Sequence, residues 1–121
     1  MVIKEFEEII AWQKAQDLAV EIYRHFSTCR DYAFKTQLTK AAVSISNNIA
    51  EGFDRSSDAD FCRFLYISLG SCSEVKSMIY LSEKLNYLSY DNKFLLIKKC
   101  KEVSRIIRGL INSMKKDKTG R

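Results

Sequence analysis

The sequence predicts an all-α protein that folds as an antiparallel, up-down-up-down four-helix bundle. Its 121 residues include four glycines and no proline. β-Sandwiches, barrels and nucleotide-binding α/β domains need these residues in turns and phosphate-binding loops. Apolar residues instead recur at intervals of three and four in four segments. Short polar breaks separate the segments, and short connections make consecutive helices antiparallel neighbours.

The first helix is expected from about Glu8 to Thr28, and the second from Asp31, as its N-cap, to about Phe53. The apolar stripe of the first consists of Trp12, Ala15, Ala19, Ile22, Phe26 and Cys29. The stripe of the second consists of Phe34, Leu38, Ala41, Ile45 and Ile49. Each helix therefore has one apolar side to bury against its neighbours.

The third helix is expected from Ala59, capped by Asp58, to about Leu88, and it carries two adjacent apolar seams. One seam consists of Phe61, Leu65, Ser68, Cys72, Val75 and Ile79. The other consists of Phe64, Ile67, Ser71, Glu74, Met78, Leu81, Leu85 and Leu88. Together they form a face wider than one partner helix covers.

The fourth helix is expected to begin at Ser89 or Asp91 and to end near Lys116. Its seam repeats at intervals of four and three and consists of Leu96, Cys100, Val103, Ile107, Leu110 and Met114. Residues 1–116 then form a single four-helix bundle domain. Residues 117–121 are expected to be a polar, frayed tail.

Composition excludes several classes of protein. The four cysteines form no CxxC pair and His25 is the one histidine, so we expect no metal site. No signal-peptide core and no run of ~18 apolar residues is present, which predicts a cytoplasmic protein without membrane contact. The sequence also has no glycine-rich phosphate loop and no nucleophile elbow. We therefore expect no enzymatic activity and no cofactor.

The positive charge of the chain is concentrated on the fourth helix. Residues 93–121 contain ten basic and two acidic residues, a net charge of +8, whereas the whole chain carries +5. The candidate nucleic-acid-binding residues are Lys98, Lys101, Arg105, Arg108, Lys115 and Lys116. The first four follow at intervals of three, four and three, which places a line of cations on one side of the helix; Lys115 continues this line and Lys116 flanks it. The simpler interpretation is that these side chains only solvate an outer surface.

Polar residues on helices two and three predict a structural network. Its expected members are Ser44, Asn48, Glu51, Ser71 and Glu74. Ser71 and Glu74 interrupt an apolar seam, where a carboxylate needs partners or a shifted pKa. We expect the network to set the register of the two helices. The alternative is a pair of acids for acid–base chemistry or metal binding.

Two glycines have different expected roles. Gly70 lies in the middle of the third helix, where glycine costs about 1 kcal/mol relative to alanine. Close approach of another helix is the expected compensation. Gly52 is interpreted as a residue that ends the second helix.

Part of the sequence resembles a known family. The resemblance is carried by the segment from Ala41 to Phe53 with Arg55, the segment from Trp12 to Ala15, and Leu69 to Ser71 with Glu74. These residues are similar to those of the four-helix bundle proteins encoded by intervening sequences in bacterial 23S rRNA genes. A related branch contains the accessory proteins of diversity-generating retroelements, which partner a reverse transcriptase. Ser46 stands where the family commonly has proline, and Thr39 with Lys40 stands where it often has a basic pair.

The resemblance implies a homo-oligomer, with a pentameric ring as the expected form, and no catalytic activity. Together with the basic fourth helix, it favours backbone-led, salt-dependent binding of RNA or DNA. The alternative function is a protein-interaction scaffold or adaptor, for example for a reverse transcriptase or a ribosomal factor.

Overall fold

The computed structural model describes residues 2–119 of the backbone and the side chains of residues 2–115. This part of the chain contains no strand, and it confirms the all-α, four-helix fold. A short 3₁₀ turn, Phe6–Glu8, precedes the helices. The four helices are α1 (Ile10–His25), α2 (Tyr32–Phe53), α3 (Asp58–Lys84) and α4 (Tyr90–Thr119).

Helix ends differ from the expected ones by a few residues, for local reasons. The α2 cap is as predicted, because the Asp31 carboxylate accepts a hydrogen bond from the Phe34 amide at 3.1 Å. The α3 cap is Ser57 rather than Asp58, and its hydroxyl accepts from the Asp60 amide at 3.1 Å. α3 ends before Leu88 because Asn86 adopts a left-handed φ of 62°.

The expected frayed tail overlaps α4 in part. The helix continues to Thr119, beyond the expected end near Lys116. Residues 120 and 121 of the expected tail lie outside the described residues. Ser89 precedes the helix as its N-cap, because its hydroxyl accepts a hydrogen bond from the Asn92 amide at 3.1 Å.

The helices form a closed square in which each contacts two others. α1 packs on α2 and α4, and α3 also packs on α2 and α4, whereas the diagonal pairs do not meet within the described chain. Gln37 near the start of α2 contacts Glu74, and Gly52 near its end lies against Phe64, so α2 and α3 run antiparallel. The contacts between α3 and α4 join the end of one helix to the start of the other, so these two helices are also antiparallel.

The core lies along the axis of the square and takes side chains from all four helices. Its largest fully buried members include Leu18, Ile22, Phe26, Leu38, Ile45, Ile49, Leu65, Ile79, Leu96 and Ile107. The few buried polar groups are paired, as where the Ser68 hydroxyl donates to the Ile45 carbonyl at 2.8 Å. Among the described side chains no buried polar atom lacks a partner, so this core has no polar group left uncompensated.

Two further features concern the cysteines and the hydropathy of the helices. All four cysteines are free thiols; Cys72 and Cys100 are buried, and Cys29 and Cys62 are half-buried. Among the described helices, none has a stretch that is both long and apolar enough to pass through a bilayer.

Gly52 lies at the end of α2, as expected, and has a further role, whereas the expected role of Gly70 is contradicted. A Cβ on Gly70 would meet nothing within 4 Å, so no other helix of the same chain packs closely there. A Cβ on Gly52 would lie 2.5 Å from the Cβ of Phe64 and 3.1 Å from Cδ1 of Phe61. Gly52 is therefore the residue that lets α2 approach α3. The prediction for Gly70 was wrong because the lack of a side chain does not indicate which side of the helix another backbone occupies.

We expect Gly52→Ala to destabilise the protein by about 1–3 kcal/mol, because the new methyl group overlaps Phe64. The matched control is Gly70→Ala, which meets open space and should stabilise α3 by about 0.5–1 kcal/mol. Urea unfolding of both variants measures the difference. A Gly52→Ala protein as stable as the parent would contradict the close α2–α3 contact.

Candidate nucleic-acid interface

The predicted line of cations lies on the outer surface of α4. Lys98, Lys101, Arg105 and Arg108 are all exposed, and we call these four residues the basic face. Among the described side chains, no carboxylate forms an ion pair with any of them. Their charges are therefore available to an anionic ligand.

A groove between α3 and α4 extends the basic face. Its volume is about 450 Å³, and its lining residues are Ser73, Lys76, Lys101, Ser104, Arg105, Arg108, Gly109 and Asn112. No acidic residue belongs to this lining. Hydroxyl, amide, ammonium and guanidinium donors all converge there, which is the donor set that phosphate oxygens require.

Lys76 is a member of this groove that sequence reasoning missed. It lies on α3, in a stretch of the chain without net charge, and nothing in its local sequence links it to α4. Antiparallel packing brings it beside Lys101, Arg105 and Arg108. The groove therefore has four cations from two helices, where the sequence predicted a stripe on one helix.

The last two predicted residues of the stripe have different outcomes. Lys115 turns toward α3, where its ammonium donates a hydrogen bond to the Tyr66 hydroxyl at 2.7 Å. That hydrogen bond raises the pKa of Lys115. Lys115 does not line the α3–α4 groove but a separate cavity of about 210 Å³ with Asp58 and Cys62. The side chain of Lys116 lies outside the described residues.

Cations that line the groove also act on a buried thiol, that of Cys72. Cys72 is fully buried, accepts a hydrogen bond from the Ser104 hydroxyl at 3.1 Å, and lies 3.3 Å from the Cys100 carbonyl. Its pairing with Cys100, the Ser104 hydroxyl and the charges of Lys76 and Arg108 lower the pKa of Cys72 against the effect of burial. The same pairing raises the pKa of Cys100. Lys76 and Arg108 thus act electrostatically on a group that no solvent reaches.

Aromatic side chains precede the basic face on α4. Phe94 is 60% exposed and lies one helical turn before Lys98, on the same side of the helix. Tyr90, one turn earlier, is 62% exposed, and the Lys93 ammonium lies 4.4 Å from the centre of its ring. Sequence analysis did not single out Phe94, although its spacing of four residues from Lys98 was a visible signal.

Three members of the expected polar network come together between α2 and α3. The Ser44 and Ser71 hydroxyls share a hydrogen bond of 2.9 Å across the two helices. The Asn48 amide donates to both the carbonyl and the hydroxyl of Ser44, each at 2.9 Å. This group links the helices at one level and supports their register.

The two carboxylates lie outside that group, which corrects the expected network. Glu74 is exposed and accepts a hydrogen bond from the Gln37 amide at 3.3 Å, because its part of the seam faces an open groove rather than a partner helix. Glu51 is exposed and pairs with Arg55 at 3.0 Å.

The positions of the two carboxylates also bear on the acid–base alternative. Glu51 lies fourteen residues beyond Gln37 on α2, and Gln37 is the partner of Glu74. At 1.5 Å per residue the two carboxylates are about 20 Å apart. That separation is too large for one proton or one metal ion to be shared between them.

Comparison with known proteins gives two findings. A family model described as 23S rRNA-intervening sequence protein matches residues 7–109. A crystal structure from Bacteroides thetaiotaomicron, described as a protein with unknown function from the S23 ribosomal protein family, superposes with a TM-score of 0.79 at 22% identity. The alignment covers 84% of this chain and 98% of that chain, and it supports the fold. No curated protein matches the chain.

We expect Asn48→Ala to cost about 1–2 kcal/mol, because it removes two half-buried hydrogen bonds to Ser44, the α2 residue whose hydroxyl contacts Ser71 of α3. Glu74→Gln is the matched control and should change the free energy of unfolding by less than about 0.5 kcal/mol, since Glu74 is exposed. Chemical unfolding of both variants checks the difference. Equal destabilisation by the two variants would place Glu74 within the network after all.

Proposed function

The chain belongs to the 23S rRNA-intervening sequence protein family, and we propose that it is a non-enzymatic homo-oligomer that binds the backbone of RNA or DNA through α4. The observation that carries this proposal is the basic face, four exposed cations of which none forms an ion pair among the described side chains. Unpaired like charges in one line repel one another. A polyanion relieves that repulsion and releases its own counterions on binding.

Backbone recognition agrees with the chemistry of the α3–α4 groove. Its donors are four cations, the Ser73 hydroxyl and one asparagine amide, all suited to phosphate oxygens. The hydroxyl of Ser104, which also lines the groove, donates to Cys72 instead. The basic face consists of long, exposed side chains on one helix, without a rigid pair of groups aimed at a base edge. Such contacts position a nucleic acid without selecting its sequence.

The proposed homo-oligomer is a ring of five copies, the form that the family resemblance implies. The wide face of α3 supports self-assembly, because Ile67, Leu81 and Leu85 remain more than 40% exposed in the single chain. Exposed apolar residues on one side of a helix are typical of a contact surface. A ring contains one basic face for each copy, so the positive electrostatic field near every basic face is stronger than in a single chain.

A scaffold or adaptor for another protein is the alternative function. An apolar groove of about 310 Å³ between α1 and α2 favours it, with Val20 and Tyr23 about half exposed at its edge. A specific protein that co-purifies after nuclease treatment, and is lost from a Tyr23→Ala variant, would support this alternative over nucleic-acid binding.

Reversing three charges tests the nucleic-acid proposal. In the variant Lys101→Glu, Arg105→Glu, Arg108→Glu we expect the slope of log affinity against log salt to fall by about 2–3, since each phosphate contact contributes 0.7–0.9. Fluorescence anisotropy with labelled RNA and DNA over a salt series measures the slope. The control reverses Lys14, Arg30 and Lys84, which are exposed cations on other parts of the molecule. Equal binding by the parent and the α4 variant would exclude this surface.

The mass in solution tests the ring. One chain is 14.0 kDa, and we expect light scattering to give about five times that mass at micromolar concentration. Leu81→Glu places a charge on the wide face of α3 and should lower the mass. Lys14→Glu, on α1, should leave it unchanged. A mass of a single chain for the parent protein would contradict self-assembly.

A further inference from the structure

We propose that the nucleic acid bound by α4 is single-stranded, and that Phe94 stacks on one of its bases while the α3–α4 groove holds its phosphates. This inference rests on the proposed nucleic-acid binding and adds the class of ligand. It is carried by the juxtaposition of a solvent-facing aromatic ring with the basic face and the groove.

The first step is the position of Phe94. Phe94, Lys98, Lys101, Arg105 and Arg108 follow at intervals of four, three, four and three, which places all five on one side of α4. Phe94 is 60% exposed. It does not belong to the hydrophobic core, so core packing does not account for a phenylalanine at the start of a charged surface.

The second step is distance along the helix. Phe94 and Arg105 are eleven residues apart, or about 16 Å along the axis of α4. That is the length of about five stacked nucleotides of one strand. A strand with one base on Phe94 therefore places its next phosphates beside Lys98, Lys101 and Arg105.

The third step is the shape of the phosphate site. Lys76 on α3 faces Lys101 and Arg108 on α4 across the groove, with Ser73 and Ser104 on the same two helices. A flexible strand that enters this groove meets cations on both sides. A duplex is stiff and wide, and it would contact only the outer line of α4.

The fourth step is the choice between single and double strands. In a duplex the faces of the bases are covered by their neighbours, so an aromatic ring reaches one only by inserting into the stack. A single strand offers each base face freely. An aromatic side chain next to a phosphate-binding groove is the arrangement that single-strand-binding proteins use, and it tolerates different base sequences.

The experiment compares one strand of mixed sequence, about ten nucleotides long, with the same strand annealed to its complement. RNA and DNA versions are titrated with the full chain by fluorescence anisotropy at fixed salt. We expect the parent protein to prefer the single strand. Phe94→Ala should weaken single-strand binding by about 5- to 150-fold, the usual effect of losing one stacking platform, and leave duplex binding unchanged.

Two further variants make the result specific to stacking. Phe94→Trp retains an aromatic face and should restore single-strand affinity, and its fluorescence should be quenched on binding. Leu95→Ala is the matched control, because Leu95 is the adjacent residue and is 42% exposed. It should bind like the parent. Lys76→Gln should weaken single-strand binding more than duplex binding.

The outcomes separate this inference from the proposed function. If the triple reversal on α4 weakens binding while Phe94→Ala has no effect, the inference fails and the proposed function stands. If neither variant changes binding, both fail. If Phe94→Ala lowers the mass of the oligomer in light scattering, Phe94 belongs to a contact between copies and the inference is overturned.

Discussion

The close approach of α2 and α3 is the constraint on which the other features of this protein depend. Gly52 lets the backbone of α2 reach Phe64, and the hydroxyls of Ser44 and Ser68 then meet partners on the opposite helix. These contacts set the height and rotation of α3. Because α3 also packs on α4, they determine which residues of α3 border the basic face, and Lys76 is one of them.

The basic groove brings together positive charges that repel one another. Lys76, Lys101, Arg105 and Arg108 line one groove without an acidic neighbour in that lining, and like charges so arranged repel one another. Their field also extends into the core, where Lys76 and Arg108 help to lower the pKa of the buried Cys72. A surface whose cations repel one another, next to the exposed aromatic ring of Phe94, is suited to a flexible polyanion.

Sequence analysis predicted the fold and the line of cations on α4, because both depend on periodicity within one helix. It was wrong about Gly70 and about Glu74, for different reasons. A glycine within a helix does not show whether another helix packs on that side, and a Cβ on Gly70 would meet nothing within 4 Å in the single chain. The Glu74 prediction assumed that the apolar seam is covered along its whole length, but the neighbours of α3 cover only part of it, so Glu74 lies at an open groove.

By itself, the sequence determined the four helices, their apolar faces and the concentration of charge on the last of them. These properties follow from residue spacing and local propensity, which act along the chain. Tertiary structure alone decided that Gly52 is the point of close contact, that Lys76 lines the groove next to the basic face, and that Lys115 turns toward Tyr66. Each of these depends on the rotation of one helix against another, which packing of the shared core sets and no local pattern encodes.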